Sequence, residues 1–433
     1  MRARIAVVGT GGAGLSAAYH LRDIADVTLF DKDTRAGGHA HTVEVEDSDT
    51  AIGVDTGFVV YNRTTYPQLA EFFTELGVET ARHDGGFDFF DLDTGLSFGT
   101  PELPLTESQI AERYPADFLD VWRQARRFYR QAPRDCVRGL THMTLREYLR
   151  SNGYTEEFLR SYVILLGTAV WSVPAGVVLN MPASCFIVFF TSHGRGGLGG
   201  DAVEWRNVVG GSVSYVRRVV DAVGGALRLG EEVTGVHEVD DRVAVTTRSG
   251  VDTFDYVVMA THADQAVRVL DPRHPARPLL TRVRYSRARA VLHRDPSVLP
   301  GGRERWQSWN YGRSKAGGRD VTHLVYYMNR IQGFQARHDY FVSIGGPRPP
   351  REETVVKEID YTHPVVTRDV LDLQSVIHTV NTGSRIKFCG SYFHSRRMGP
   401  DQIGAHEGAF CSGLDAARAV RAALRGEYVT TPV

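Results

Sequence analysis

Residues 5–14 read IAVVGTGGAG, a short apolar run that leads into three glycines spaced Gly9-x-Gly11-x-x-Gly14. The apolar run is typical of a buried strand, and residues 15–21 have the composition of a helix. In this pattern the first glycine permits a tight turn, the second lets backbone approach a pyrophosphate, and the third lets the helix pack on the strand. The segment therefore predicts a parallel sheet that binds a dinucleotide, with Gly12 and Ala13 at the helix end that faces the phosphates.

A second strand, at residues 27–30, ends at Asp31, close to the spacing of about 20 residues expected for a ribose-binding acid. A carboxylate at this position accepts hydrogen bonds from ribose hydroxyls and would repel the 2′-phosphate of NADP. Lys32 follows it directly. The fingerprint alone leaves NAD and FAD as candidate cofactors.

The charges of the chain nearly cancel, with 50 Lys and Arg against 51 Asp and Glu in 433 residues. This balance argues against a nucleic-acid-binding protein, which usually has a strong basic excess. The length suggests two or three domains. The four cysteines are far apart, which fits a reducing compartment. The most apolar stretches are too interrupted for a spanning helix of roughly 20 residues, so we expect a cytoplasmic protein with no transmembrane segment.

Further segments follow the fingerprint in a specific order. They read RAGGHAHT at 35–42, DTGF at 55–58, GEEV at 230–233, VVMAT at 257–261, FCGS at 388–391 and GAHEGA at 404–409. This order resembles the FAD-binding domain of the flavin-containing amine oxidase and phytoene desaturase superfamily. The segments at 38–42, 60–62 and 327–330 resemble, more narrowly, a bacterial subfamily of predicted NAD/FAD-binding oxidoreductases. The resemblance implies FAD, bound non-covalently.

The resemblance also implies the architecture. We expect an α/β protein with a discontinuous, Rossmann-like FAD-binding domain and an inserted α+β substrate domain, as in amine oxidases. The FAD-binding domain would comprise residues 1–63, 208–270 and 375–425, and the substrate domain residues 64–207 and 271–374. A glycine-rich stretch at 194–200 interrupts the helical signals of the inserted part.

The fingerprint and the resemblance together give a set of predicted cofactor contacts. These residues are Gly9, Gly11, Gly12, Ala13, Gly14, Asp31, Lys32, Gly37, Gly38, His39, Thr56, Gly57, Phe58, Val233, Thr261, Gly390, Ser391, Gly404, Ala405 and His406. His39 and His41 have the spacing of a metal-binding pair. A catalytic metal needs three protein ligands, and the sequence places no third, so we predict no metal.

The chain departs from the family pattern at three places, one of which is Gly390-Ser391-Tyr392, where amine oxidases carry Gly-Thr-Glu after the last strand. His39 stands where many amine oxidases have arginine, and Ala405 stands where they often have a tyrosine that forms one wall of an aromatic cage. We therefore expect a wider site, suited to a bulky or elongated apolar molecule. The resemblance implies removal of a hydride from a C–H or C–N bond of a small, largely apolar or lipid-like substrate, with oxygen or another acceptor taking the electrons.

Two alternatives stay open at this point: a flavin-dependent double-bond isomerase with no net redox change, and a non-catalytic FAD-binding redox module. The candidate catalytic residues are Tyr61, Tyr327 and His406. Five aromatic residues of the second half either line a substrate cavity or belong to the core. They are Trp306, Trp309, Tyr311, Tyr326 and Tyr327.

Overall fold

The computed structural model describes the chain except for residues 1, 49, 84, 138, 140–142, 172, 194–202, 347, 394–402 and 428–433. The glycine-rich stretch at 194–200 therefore lies outside the described residues. The strands are β1 (Ala3–Val8), β2 (Ala25–Asp31), β3 (Thr42–Asp47), β4 (Thr50–Asp55), β5 (Tyr61–Asn62), β6 (Thr80–His83), β7 (Phe87–Asp91), β8 (Ser97–Gly99), β9 (Trp205–Val208), β10 (Ala226–Leu229), β11 (Val233–Val239), β12 (Arg242–Thr247), β13 (Gly250–Phe254), β14 (Tyr256–Met259), β15 (Tyr285–His293), β16 (Trp309–Ala316), β17 (Arg319–Tyr327), β18 (Phe341–Gly345), β19 (Val355–Pro364) and β20 (Ile386–Phe388). The helices are α1 (Gly12–Leu21), α2 (Pro67–Glu75), α3 (Glu107–Arg113), α4 (Ala116–Val137), α5 (Leu145–Ser151), α6 (Glu156–Phe158), α7 (Ile164–Trp171), α8 (Ala175–Asn180), α9 (Ala183–Ser192), α10 (Val213–Val223), α11 (Ala263–Val269), α12 (Arg277–Leu280), α13 (Met328–Gln332), α14 (Arg368–Leu373) and α15 (His406–Leu424).

The first sheet is parallel and has five strands in the order β10-β2-β1-β14-β20. Strands β1, β14 and β20 are mostly buried apolar runs, as a parallel sheet covered on both faces requires, whereas the edge strand β10 is partly exposed. Helices α1 and α15 pack against it and share one apolar core with β1, β2 and β14. Because the strands come from three separated parts of the chain, the predicted fold class, a discontinuous Rossmann-like domain, is confirmed.

The second sheet has seven strands in the order β19-β15-β18-β17-β16-β7-β8. It is antiparallel except where β16 and β7 run parallel. Helices α4, α5, α7, α8 and α9 build the largest apolar core, and α7 packs on β16 and β17. This layer of helices over one sheet is the α+β part that the sequence predicts between the pieces of the parallel sheet.

No helix among the described residues is both long and apolar enough to cross a membrane.

Candidate functional site

One cavity of about 1330 Å³ connects the parallel sheet with the seven-stranded sheet. At one end it is lined by the glycine loop after β1, by Asp31 and by Lys32. At the other end, aromatic side chains from β7, β16, β17, α7 and α9 enclose it. We call this second end the aromatic lobe. Single ligand pockets usually measure about 300–1,000 Å³, so this cavity has room for more than one molecule.

The glycine loop is tightly packed on one side and open on the other. Gly9 has φ +102°, and a Cβ added to it would lie 2.8 Å from the carbonyl oxygen of Ala260. A Cβ on Gly14 would collide with the carbonyl oxygen of Gly9, so Gly14 serves helix packing and does not line the cavity. A Cβ on Gly11 would meet nothing within 4 Å. The open side faces the cavity at the start of α1, which has no acidic residue in its first turn.

Asp31 does more than the sequence predicts. Its Oδ2 accepts hydrogen bonds from the backbone N–H of Thr10 at 2.8 Å and from the Thr10 hydroxyl at 2.5 Å. Its Oδ1 accepts from the N–H of Asp33 at 3.0 Å. An ionised carboxylate has about four acceptor positions, so Oδ1 retains capacity for a ribose hydroxyl. Asp31 therefore braces the glycine loop while it lines the cavity. Lys32 lines it too and pairs with Asp33.

Arg35 is a cavity residue that the sequence interpretation did not single out. Its Nη2 donates to the carbonyl oxygen of Gly38 at 2.8 Å, whereas its Nη1 is buried without a partner among the described residues. Gly37 lies behind the loop, where its N–H donates to Thr10 at 3.0 Å, and does not line the cavity. Gly38 and His39 do. Buried donors without partners are costly in a folded protein, so Arg35 indicates that an anion belongs here.

His39 belongs to a cluster of imidazole rings on the cavity wall. Its ring centroid lies 5.1 Å from that of His363, 6.0 Å from that of His262 and 4.9 Å from the ring of Tyr361. Burial, followed by repulsion from the neighbouring histidines, holds the pKa of His39 well below its usual value. Burial lowers the pKa of His363 to about 4. The described residues include no group of three or more His, Cys, Asp or Glu arranged to hold a metal ion.

The segment at 55–58 passes along the same wall. Thr56 bonds to the Tyr361 hydroxyl at 2.8 Å and does not line the cavity, because it faces into the protein. Gly57 lies so close to the carbonyl oxygen of His39 that a side chain there would collide with it. Gly57 and Phe58 line the cavity, and the ring of Phe58 stacks on His406 at 4.0 Å.

His406 begins α15, with Ala405 as the preceding cap residue. Its Nε2 lies 2.7 Å from the hydroxyl of Tyr215, and its ring is enclosed by Phe58 and Gly12. Burial lowers the pKa of His406 to about 4. A neutral ring fixed in this way positions the start of α15 and is poorly placed for proton transfer. Gly404 and Ala405 line the cavity beside it.

The remaining predicted contacts come from three other parts of the chain, which the fold brings together. Val233 begins β11, Thr261 follows β14, and Gly390 and Ser391 follow β20; all four line the cavity. The N–H of Gly390 donates to the hydroxyl of Ser412 at 2.9 Å. Thr261, Gly390 and Ser391 lie just beyond the carboxyl ends of parallel strands, where open α/β sheets bind their ligands.

The aromatic lobe is built from two surfaces. Its floor is one face of the seven-stranded sheet, where Trp309 pairs with Phe87 and Tyr311 with Phe89 between β16 and β7. Its roof comes from helices, through Leu166, Val170, Trp171, Phe189 and Phe190. His193 completes the wall between Phe189 and Trp205, with ring centroids 4.0 Å and 5.9 Å away.

Residues 13–293, well over half of the chain, match the family described as flavin containing amine oxidoreductase. The chain belongs to this family. Among curated proteins, the L-amino-acid oxidase of Pseudechis australis is 23% identical over 269 residues, which cover 59% of this chain and 49% of that protein. The chain spans about half the length of the curated relatives it matches.

Two solved structures share the fold over nearly their whole length. The cyclohexylamine oxidase from Brevibacterium oxydans IH-35A has a TM-score of 0.69 at 16% identity, covering 98% of this chain and 100% of that chain. The CLA-producing fatty acid isomerase from P. acnes has a TM-score of 0.63 at 15% identity, covering 96% and 98%. At these identities the likeness shows the fold alone.

Membership of the flavin-containing amine oxidoreductase family implies a flavin cofactor, and the cavity fits one that carries phosphate. The space at Gly11, the helix start without an acid, and the unpartnered Nη1 of Arg35 all lie on one wall. The Nε2 of His39 is likewise buried without a partner among the described residues.

Two predicted catalytic candidates need correction in this family member. Tyr61 is 1% exposed, packs edge-on against Phe73 at 5.2 Å and does not line the cavity. Tyr327 lies on the opposite face of β17 from Tyr326, because successive strand residues alternate, and its hydroxyl donates to Asp339 at 2.6 Å. Of the five aromatic residues, Trp309, Tyr311 and Tyr326 line the cavity, whereas Trp306 and Tyr327 belong to the core.

Sequence reasoning also missed much of the lobe. Phe87 and Phe89 are two residues apart, and this alternation in the sequence predicts a strand with both rings on one face. Trp171 and Phe189 are on helices whose sequence is that of ordinary core, and His193 directly follows the second of them. No local pattern distinguishes a cavity wall from packed interior.

Proposed function

We propose that this protein binds FAD non-covalently and removes a hydride from a C–H or C–N bond of a small, largely apolar molecule. The observation that carries the proposal is the single cavity that joins a phosphate-binding loop to an aromatic lobe. When bound, the flavin supplies the two-electron chemistry, and oxygen or another acceptor takes up the electrons. The protein supplies binding, orientation and electrostatics.

The residues of the loop would hold the cofactor. The N–H groups at the start of α1 would bind the pyrophosphate, with Arg35 as a counter-charge. Asp31 would accept from ribose through Oδ1. The start of α15 at Ala405 would direct its N–H groups and partial positive charge at the flavin ring, since a helix N-terminus stabilises negative charge.

The aromatic lobe would hold the substrate. Its walls exclude water and bury apolar surface, which stabilises binding by roughly 25 cal/mol for each Å² removed from water. Ala405 lines the cavity with a methyl group only, so it leaves room for a bulky or elongated molecule. These features favour an apolar substrate over a small primary amine.

The domain division and the location belong to the same proposal. The strands of the parallel sheet fall within residues 1–63, 208–270 and 375–425, and those of the seven-stranded sheet fall within 64–207 and 271–374. A cytoplasmic location is supported by the four cysteines, all of which have free thiols.

Three measurements test the proposal. The absorption spectrum and chromatography of the cofactor released on denaturation identify FAD. Anaerobic mixing with candidate apolar substrates, followed at the flavin absorption band, tests for hydride removal. A protein that binds no flavin would refute the cofactor assignment. If flavin binds and no apolar candidate bleaches it, the redox assignment fails and a non-catalytic module is favoured.

A double-bond isomerase is the second candidate, because the CLA-producing fatty acid isomerase from P. acnes has the same fold. It predicts turnover under anaerobic conditions without any added acceptor. Strict dependence on an acceptor would exclude it.

A further inference from the structure

Two tyrosine hydroxyls in the floor of the aromatic lobe bond to nothing in the described protein. Tyr311 lies on β16 and Tyr326 on the neighbouring β17, and both line the cavity. Neither hydroxyl has a hydrogen-bond partner among the described residues, and neither is sealed within the packing. Both side chains retain accessible surface although they lie deep in the protein, because that surface faces the cavity.

The two tyrosines lie on the same face of the sheet. Trp309 is directly opposite Tyr326, and Tyr311 is two residues further along the same strand. Residues two apart on a strand share a face, and diagonal neighbours on adjacent strands lie within reach of long side chains. The hydroxyls are therefore the polar points of an otherwise aromatic floor.

Several other tyrosines have their hydroxyls bonded within the protein, whereas the hydroxyls of Tyr154, Tyr340 and Tyr392 are sealed in the packing without a partner among the described residues. Tyr129 and Tyr162 bond to each other at 3.1 Å, and Tyr114 donates to the carbonyl oxygen of Ser97 at 3.1 Å. Buried polar groups are normally hydrogen-bonded. The hydroxyls of Tyr311 and Tyr326 differ from these, because they have no protein partner and are open to the cavity, so a ligand there can supply the partner.

The lobe presents no charge to that ligand. No described residue that lines it from β7, β16, β17, α7 or α9 is Asp, Glu, Lys or Arg. His193 is neutral because burial lowers its pKa to about 4, and both of its ring nitrogens are occupied, by the Phe189 carbonyl at 2.8 Å and the Thr65 hydroxyl at 3.0 Å. Burial also keeps the tyrosines protonated, since it raises the pKa of Tyr326 to about 12.

Arg313, two residues beyond Tyr311 on β16, does not line the cavity, and its charge is matched by Asp91 at 2.7 Å and Glu157 at 3.0 Å. The charged residues of the seven-stranded sheet that do line the cavity are Lys357, Glu358 and Asp360, all on β19 at the cofactor end. Four strand spacings separate β19 from β16, roughly 19 Å at about 4.8 Å each. An ammonium or carboxylate in the lobe would therefore lose its hydration without gaining a counter-charge, which is strongly unfavourable.

Resting on the proposed function, we propose that Tyr311 and Tyr326 select a substrate that is apolar over most of its length and carries one uncharged oxygen, a carbonyl or a hydroxyl, where it meets the floor of the lobe. Each phenol donates to that oxygen, so the pair fixes the depth and direction of the molecule. A pure hydrocarbon fills the lobe but leaves both hydroxyls unpaired. A charged analogue of equal size is excluded by desolvation.

The test uses the flavin-loaded protein and probes matched in size: 2-acetylnaphthalene as the neutral ketone, 2-ethylnaphthalene as the hydrocarbon, 2-naphthoate as the anion and 2-naphthylmethylammonium as the cation. Trp171, Trp205 and Trp309 line the lobe, so quenching of tryptophan fluorescence reports the dissociation constants. We expect the ketone to bind most tightly. Tyr311→Phe and Tyr326→Phe should each weaken binding of the ketone about three- to tenfold, the range of one neutral hydrogen bond. Neither substitution should change the affinity for the hydrocarbon.

Tyr114→Phe is the matched control, because it also removes one phenol hydroxyl but does not line the cavity. It should change no affinity. Equal binding of ketone and hydrocarbon, tighter binding of either charged probe, no binding of the ketone, or ketone affinity unaffected by both lobe substitutions would each overturn the inference. Flavin content is measured separately in every sample, so a loss of the cofactor is distinguished from a failure of the lobe to select.

Discussion

Replacing Gly11 with valine isolates the phosphate contact, because the protein itself leaves room for the new side chain. Gly11 has φ −67° and ψ 178°, an extended conformation that valine adopts readily, and an added Cβ meets nothing within 4 Å. The apoprotein should therefore keep its folding stability to within about 0.5 kcal/mol, as for substitutions that touch no packed feature.

The free energy of FAD binding should change far more than the folding stability. The valine methyl groups would occupy the space where the pyrophosphate meets the N–H groups at the start of α1. Loss of two hydrogen bonds to a charged group, at about 1.5–3 kcal/mol each, amounts to about 3–6 kcal/mol. Since about 1.4 kcal/mol is tenfold, FAD affinity should fall by roughly a hundredfold to ten-thousandfold.

The assay is titration of apoprotein with FAD, following flavin fluorescence, together with thermal unfolding in the absence of FAD. The control is Gly176→Val, since Gly176 lies in α8, also meets nothing within 4 Å, and does not line the cavity. FAD affinity of the Gly11 variant within threefold of wild type would refute the reasoning, as would an equal loss in the Gly176 variant.

Three further outcomes are expected. Asp31→Ala should weaken FAD binding roughly ten- to a hundredfold, because a charge-assisted hydrogen bond worth about 1.5–3 kcal/mol is lost, whereas Asp33→Ala should not; equal effects in titrations of the two variants would contradict the ribose role. Ala405→Tyr should retain FAD, because the backbone of α15 is unchanged, but should abolish reduction by a bulky substrate in stopped-flow mixing; unchanged reduction would place Ala405 away from the substrate. Because burial lowers the folded pKa of His406 to about 4, below its usual 6.5, its stabilising contribution is complete above pH 6.5 and is lost as the pH falls towards 4. Between pH 7 and pH 5 the unfolding free energy should therefore fall by about 2 kcal/mol less in His406→Met than in wild type. Urea unfolding with FAD present measures this difference, and an equal pH dependence in the two proteins would refute the assignment.

The parts of the site that sequence predicts are those encoded by local backbone requirements. Gly9, Gly11 and Gly14 are recognisable because a turn, an open approach and a close packing contact each exclude other residues at fixed spacing. The fold class follows from the resemblance of further segments in order. The structure adds that Asp31 holds Thr10, a contact that depends on side-chain geometry and leaves no pattern in the sequence.

The aromatic lobe was less predictable for a physical reason. Phe89 and Tyr311 meet because β7 and β16 pair in parallel across more than 200 residues of sequence. Which of Tyr326 and Tyr327 faces the cavity depends on strand register, and a shift of one residue exchanges the two faces. The local sequence determines neither the strand pairing nor the register.

The strand order of the parallel sheet has a consequence for how the protein is made. Ile5 on β1 pairs with Tyr256 on β14, and β14 in turn pairs with β20 near residue 386. Long-range pairings of this kind slow folding, because the chain loses the entropy of loop closure before the contacts that stabilise the pairing have formed. At about 5–20 residues per second, the ribosome takes roughly 12–50 s to deliver the strand that completes the first strand's pairing. During that time the glycine loop has no support on its Ala260 side, so a nascent chain or a truncated product should be unable to retain the cofactor.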